Sequence, residues 1–174
     1  MPVTERELVT VFLPYAMILC GVMVFVMLFF LKAGYGRYSS EGALSLDARV
    51  AWVLQELPSL ILPLYYAWRA DFSTLGIVNQ VLLSLFTFHY FNRTCIFPLR
   101  LRGGKRTPAF ICFLAFCFTS INGYMQGLAY TSFIEFPESW LWVSVMAPVF
   151  NVAIHNFLSP GLPVRSGNRG VLFR

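Results

Sequence analysis

The sequence predicts an all-α integral membrane protein, a bundle of four clear transmembrane helices plus a marginal fifth, with a lumenal N-terminus. Three observations predict it. Hydrophobic residues make up 57% of the 174 residues and charged residues only 12%, with a mean hydropathy of +0.66, far from the balance of a soluble domain. Uncharged runs of about the 20 residues needed to span a hydrocarbon core recur along the chain. The basic residues fall almost entirely in alternate connections between those runs.

The first run, residues 8–31, lies between Glu7 and Lys32 and is interrupted only by Pro14. It is too long for the apolar core of a secretory signal, and no small-residue cleavage site follows promptly. The second, residues 50–68, lies between Arg49 and Arg69 and carries Gln55 and Glu56 in its interior. The third covers residues 75–91 and ends in His89 and Tyr90. The fourth, residues 108–134, is long enough to tilt or to include an interfacial turn near Asn122 and Gly123. The marginal fifth, residues 140–158, contains Pro148, Asn151, His155 and Asn156. These five make one polytopic helical domain over residues 1–158. Residues 159–174, rich in Pro, Gly, Ser and Arg, read as a disordered basic cytoplasmic tail.

Of the 13 Lys and Arg, only Arg6 and Arg69 lie in the N-terminus and the second loop, and the others lie in the alternate set. Positive charge stays on the cytoplasmic side, so the N-terminus faces the lumen. The net charge of +5 therefore follows topology and forms no stripe for nucleic acid. Cys20, Cys95, Cys112 and Cys117 include no C-x-x-C pair, which argues against a zinc site, any other metal site or a disulfide framework. Asn92-Arg93-Thr94 matches a glycosylation sequon but lies on the cytoplasmic side of this topology, and is read as chance.

Ionisable groups inside membrane helices are costly, about 2.5 to 3.5 kcal/mol at a helix centre on insertion scales, so they point to function. Glu56 is the one acid within the first four runs, and helical spacing puts Trp52, Glu56 and Ser59 on one face. A carboxyl group taken into a low-dielectric bundle tends to stay protonated, and the neutral acid can donate a hydrogen bond. Tyr90 offers a second donor, and the two would converge on one carbonyl oxygen of an apolar ligand if the second and third helices pack together. The alternative stands beside it: Glu56 pairs with a basic residue or a backbone group, and Tyr90 is an interfacial belt residue. Arg100 to Arg106, with Gly103 and Gly104 between the cations, is either a phosphate-binding mouth for an anionic cofactor or an ordinary positive loop. No dinucleotide glycine fingerprint, P-loop, zinc-protease or Ser/His/Asp signature occurs.

The blocks Gly34-Tyr35-Gly36-Arg37, Ala51-Trp52 through Gln55-Glu56-Leu57-Pro58-Ser59, His89-Tyr90-Phe91 with Arg93, Arg102-Gly103-Gly104-Lys105, and Asn122-Gly123-Tyr124 with Gln126 resemble the steroid 5α-reductases over about residues 34 to 140. His89-Tyr90-Phe91 and Glu135-Phe136-Pro137 lean toward the type 2 isozyme. The resemblance implies an endoplasmic reticulum (microsomal) oxidoreductase of steroid and androgen metabolism, acting in sex differentiation, that reduces the 4,5 double bond of a 3-oxo-Δ4 steroid such as testosterone with NADPH. It implies that Glu56 and Tyr90 hydrogen-bond the 3-oxo group, that Trp52 and Gln55 shape the substrate pocket, and that Lys105 and Arg102 approach the cofactor phosphates. Donors aimed at the developing enolate would stabilise the transition state while hydride reaches C5 and a proton C4.

The likeness fades after about residue 140. The expected Asn-x-His-Ser-Asp block is missing, and Asn151 and His155 match it only in residue type. The expectation is a C-terminally truncated or divergent member, from an alternative exon, intron read-through or gene-model fault, with weak or no activity. A second class of function is a non-catalytic steroid-binding membrane fragment that associates with a full-length reductase and lowers its activity. A channel or transporter fits worse, because there is one buried acid and no internal repeat. A reductase of enoyl thioesters or polyprenols fits the Gln55-Glu56 block less well than a steroid enzyme does.

Overall fold

The computed structural model describes residues 3–30, 44–101 and 105–142. The Gly34–Arg37 block, Arg102 with Gly103 and Gly104, nearly all of the fifth run and the tail 159–174 lie outside the described residues.

Helix α1, Glu5–Phe30, opens on Thr4, whose hydroxyl accepts from the Glu7 amide while the Glu7 carboxylate reaches back to the Thr4 amide. Its turn over Leu8–Phe12 widens to π geometry just before Pro14, which has no amide hydrogen to meet the preceding turn. Val9 is buried, whereas the apolar side chains from Ile18 to Phe30 are exposed. Val9 joins Met125, Leu128 and Ala129 in a small core, with Leu13 and Met17 packed around it.

Helix α2, Ala48–Arg69, starts on Asp47, whose carboxylate accepts from the Arg49 and Val50 amides. Helix α3, Ile77–Phe91, follows a short 3₁₀ turn and runs on through a π turn, Asn92–Ile96, into a short helix, Phe97–Arg100. Helix α4 is Ala109–Phe133. The closest packing is α2 against α4. Gly123 and Gly127 permit it: a Cβ at Gly123 would lie 2.7 Å from the Pro58 carbonyl oxygen, and one at Gly127 would lie 2.7 Å from the Tyr66 ring. In lipid, where apolarity does not drive helices together, such small residues let backbones touch.

The two ends of the bundle are fastened by different residues. At one end, strand β1, Ser45–Leu46, pairs antiparallel with strand β2, Thr107–Pro108. There Arg49 donates twice to the Leu101 carbonyl, at 3.2 and 2.7 Å, and Arg106 donates to the Ser45 hydroxyl and carbonyl, at 3.0 and 2.6 Å. At the other end, buried Asn79 donates to the carbonyls of Tyr130 and Ile134 and accepts from the Phe136 amide, while Tyr124 donates to Glu5.

The described chain is thus mostly helical, and two helices, α1 and α4, are long and apolar enough to cross a membrane. Helix α2 has the length, 22 residues, but holds Gln55, Glu56 and two prolines, and α3 has only 15 residues. Of the two alternatives for the long fourth run, a tilt or an interfacial turn near Asn122 and Gly123, the turn does not form: α4 runs unbroken there, and Gly123 serves close packing on Pro58 and Ser59.

Candidate functional site

Pro58 and Pro63 lie inside α2 and cannot donate to the preceding turn. Helix α4 supplies polar partners alongside that weakened stretch. Thr119 donates to the Gln55 carbonyl at 2.5 Å, and Cys112 lies 3.7 Å from the Ala51 carbonyl. Ser59 donates in return to the Thr119 carbonyl at 2.8 Å. These reciprocal bonds and the glycine contacts fix the register of α2 on α4, and with it the face that carries Trp52, Glu56 and Ser59.

Glu56 is buried, with 6% of its surface exposed, and takes a salt bridge from Arg93 at 2.5 Å. Arg93 comes from the π turn that prolongs α3. Its guanidinium lies over the Trp52 ring, 4.8 Å from the centroid, and the Trp52 ring meets Phe97 edge-on at 4.7 Å. A cation held between a carboxylate and an indole face is stabilised by both, and the desolvated carboxylate gains a compensating charge. Glu56 is thus in contact with a basic residue, Arg93, which lies between it and Trp52.

Tyr90 is half-buried and its phenolic oxygen accepts from the Asn122 amide at 2.9 Å. The same nitrogen lies 3.5 Å from the Ser59 hydroxyl, one turn along α2 from Glu56. The structure therefore gathers Trp52, Glu56 and Tyr90 around one stretch of α2, with Arg93 and Asn122 as the connecting groups. Gln55 is buried on the same stretch, and its side-chain oxygen has no hydrogen-bond partner among the described residues. Lys105 is exposed at the β1–β2 end, among Arg49 and Arg106. Among the described residues, no group of acidic, His and Cys side chains could hold a metal ion.

An apolar groove of about 1070 Å³ runs between α2 and α3, lined by Leu60, Leu64, Leu83, Thr87, Phe88 and Phe91 among others. Along α2, Leu60 lies one turn beyond Glu56, and along α3, Thr87 lies one turn before Tyr90; the lining also holds Asp71 and Ser84. Sequence reasoning missed Arg93 and Asn122 as members of this site. The signal for the α2–α4 contact was the spacing Gly123-x-x-x-Gly127 in an apolar run.

No family model matches the chain. 3-Oxo-5-alpha-steroid 4-dehydrogenase 1 of Mus musculus is 44% identical over 121 residues, 68% of this chain and 48% of that protein. The Bos taurus type 1 protein is 39% identical over 145 residues, 81% of this chain and 56% of that protein. The Homo sapiens type 2 protein is 38% identical over 111 residues, 62% of this chain and 43% of that protein. Both types are thus similar to the chain, and the identities do not single out type 2. The chain spans about half the length of the curated relatives it matches. These likenesses place the chain in one family: it belongs to the steroid 5α-reductases.

Proposed function

We propose that the chain holds a 3-oxo-Δ4 steroid of the testosterone type for NADPH-dependent reduction of its 4,5 double bond. The observation that carries this reading is the gathering of Glu56 and Tyr90 beside one stretch of α2, with an apolar groove between α2 and α3 that begins one turn along, at Leu60. A rigid apolar ring system suits such a groove, and a ketone suits a phenol donor. Hydrogen bonding to the ketone draws electron density from the conjugated alkene and stabilises the developing enolate. Tyr90, whose oxygen already accepts from Asn122, has its own proton to give. Donation from Glu56 requires the protonated acid and an opened Arg93 pair, and Trp52 and Gln55 shape the wall beside it.

Lys105 supplies positive charge at the β1–β2 end, which fits the phosphates of NADPH; Arg102, outside the described residues, would add to it. When bound, NADPH supplies the hydride. In the same reading the chain crosses the endoplasmic reticulum membrane four times with its N-terminus in the lumen. The charge asymmetry supports that orientation, as does the gathering of residues 44–49, 101 and 105–109 at the end opposite Glu5.

The test is NADPH-dependent conversion of radiolabelled testosterone by membranes expressing the 174-residue chain. Glu56→Leu, which leaves no donor at that position, is expected to lower conversion by roughly 100-fold, the scale of losing one transition-state donor. Testosterone binding without conversion would favour the second reading, a non-catalytic steroid-binding fragment that pairs with a full-length reductase. Absence of binding by well-expressed protein would sink both.

A further inference from the structure

Resting on the steroid-ketone reading above, we propose that Asn122 is a positioning residue that turns the Tyr90 phenol outward as a hydrogen-bond donor for the ligand ketone. The argument starts from a proton count. Ser59 has one hydroxyl proton and places it on the Thr119 carbonyl at 2.8 Å, so toward Asn122 it can only accept. The Asn122 group facing Ser59 is therefore the amide NH₂, and the same nitrogen is the atom 2.9 Å from the Tyr90 oxygen. With the amide held this way, the phenolic oxygen receives a hydrogen bond and its own proton must point elsewhere. Donation into a hydroxyl also polarises it, so that it donates more strongly in turn.

The chain of bonds from the Thr119 carbonyl through Ser59 and Asn122 to Tyr90 is anchored in the most tightly packed contact of the molecule. Asn122 precedes Gly123, whose missing side chain lets α4 sit on the Pro58 and Ser59 backbone. The α2–α4 register thus sets the direction of a proton on α3. Tyr90 is also packed by its ring against Phe86, at 4.7 Å between centroids.

The test compares binding of testosterone with that of androst-4-en-17β-ol, the same skeleton without the 3-oxo group, to membranes carrying the full chain. Wild type should prefer testosterone, and Tyr90→Phe should lose roughly tenfold of that preference, the worth of a well-made hydrogen bond. Asn122→Asp reverses the polarity, because a carboxylate accepts from the phenol and takes its proton. It should lose as much of the preference as Tyr90→Phe does. Asn122→Ala should lose part of the preference alone and nothing further when combined with Tyr90→Phe. Should the Asp variant fail to accumulate, the Ala variant and the double variant decide. A full preference in the Asn122 variants, with loss in Tyr90→Phe, would overturn the role of Asn122 and leave the ketone reading intact. Equal binding of the two steroids by wild type would overturn the ketone reading, and this role with it.

Discussion

Helix α1 and the α2–α4 pair are both apolar, yet one barely packs and the other packs closely. Beyond Met17, α1 offers Val22, Phe25, Phe29 and similar side chains outward, and Val9 is its one buried residue. The α2–α4 contact is made instead by glycine, proline, serine and threonine, with side-chain hydroxyls bonded to backbone carbonyls. Apolar area that water would force into a core has an equally good place in lipid, so it leaves a helix unpaired. Small residues and hydrogen bonds have better partners inside the bundle, and they decide which helices meet. The part of the sequence that looks most like a membrane span is thus the least informative about the site, and the least apolar helix, α2, carries it.

The most severe test of this contrast is Gly123→Leu. No rotamer relieves a Cβ that meets the Pro58 carbonyl at 2.7 Å and the Ser59 Cα at 2.9 Å, so the helices must separate. Detergent-melting measurements should show a loss of about 3 kcal/mol, typical of severe overpacking, together with loss of steroid binding. An unchanged melting curve would mean that this contact does not hold the bundle.

A smaller loss is expected from Arg93→Ala, which leaves Glu56 buried without its cation and Trp52 without its stacked partner. Breaking a fully buried pair costs about 3 to 5 kcal/mol, but the Arg93 side chain is 39% exposed, so about 2 kcal/mol is the expected scale. Adding Glu56→Gln to that variant should restore part of the loss, because a neutral amide needs no counter-charge. Loss without any such recovery would assign the effect to Trp52 packing.

Phe25→Ala should do least. Phe25 is 63% exposed and touches Phe29 of its own helix, so bundle stability should change by no more than about 0.5 kcal/mol. A larger effect in the same melting assay would show that α1 packs on the bundle along its length.

The helix positions were legible to within a few residues, since expectations of 8–31, 50–68, 75–91 and 108–134 meet α1 at Glu5–Phe30, α2 at Ala48–Arg69, α3 at Ile77–Phe91 and α4 at Ala109–Phe133. Charge-free runs are set by the solvent and need no knowledge of tertiary contacts. The face bearing Trp52, Glu56 and Ser59 was legible for a similar reason, because helical period is local. Arg93 was not, because a cation just past an apolar run reads as a topology signal. Only the π turn that carries α3 past Phe91 brings it back to Glu56. Asn122 was hidden by its neighbour, since Asn-Gly suggests a turn until the Pro58 backbone opposite explains the glycine.

The paired hydrogen bonds from Arg49 and Arg106 have a consequence for how the molecule is made. Basic residues flanking a nascent segment are held on one side of the membrane while the chain is being inserted, before any tertiary contact exists. In this protein Arg49, at the start of α2, grips the Leu101 carbonyl, and Arg106, at the entrance of α4, grips the Ser45 carbonyl. The groups that would direct insertion are also the clasp of the finished fold, so a chain threaded the wrong way round would have its fastener on the wrong side as well.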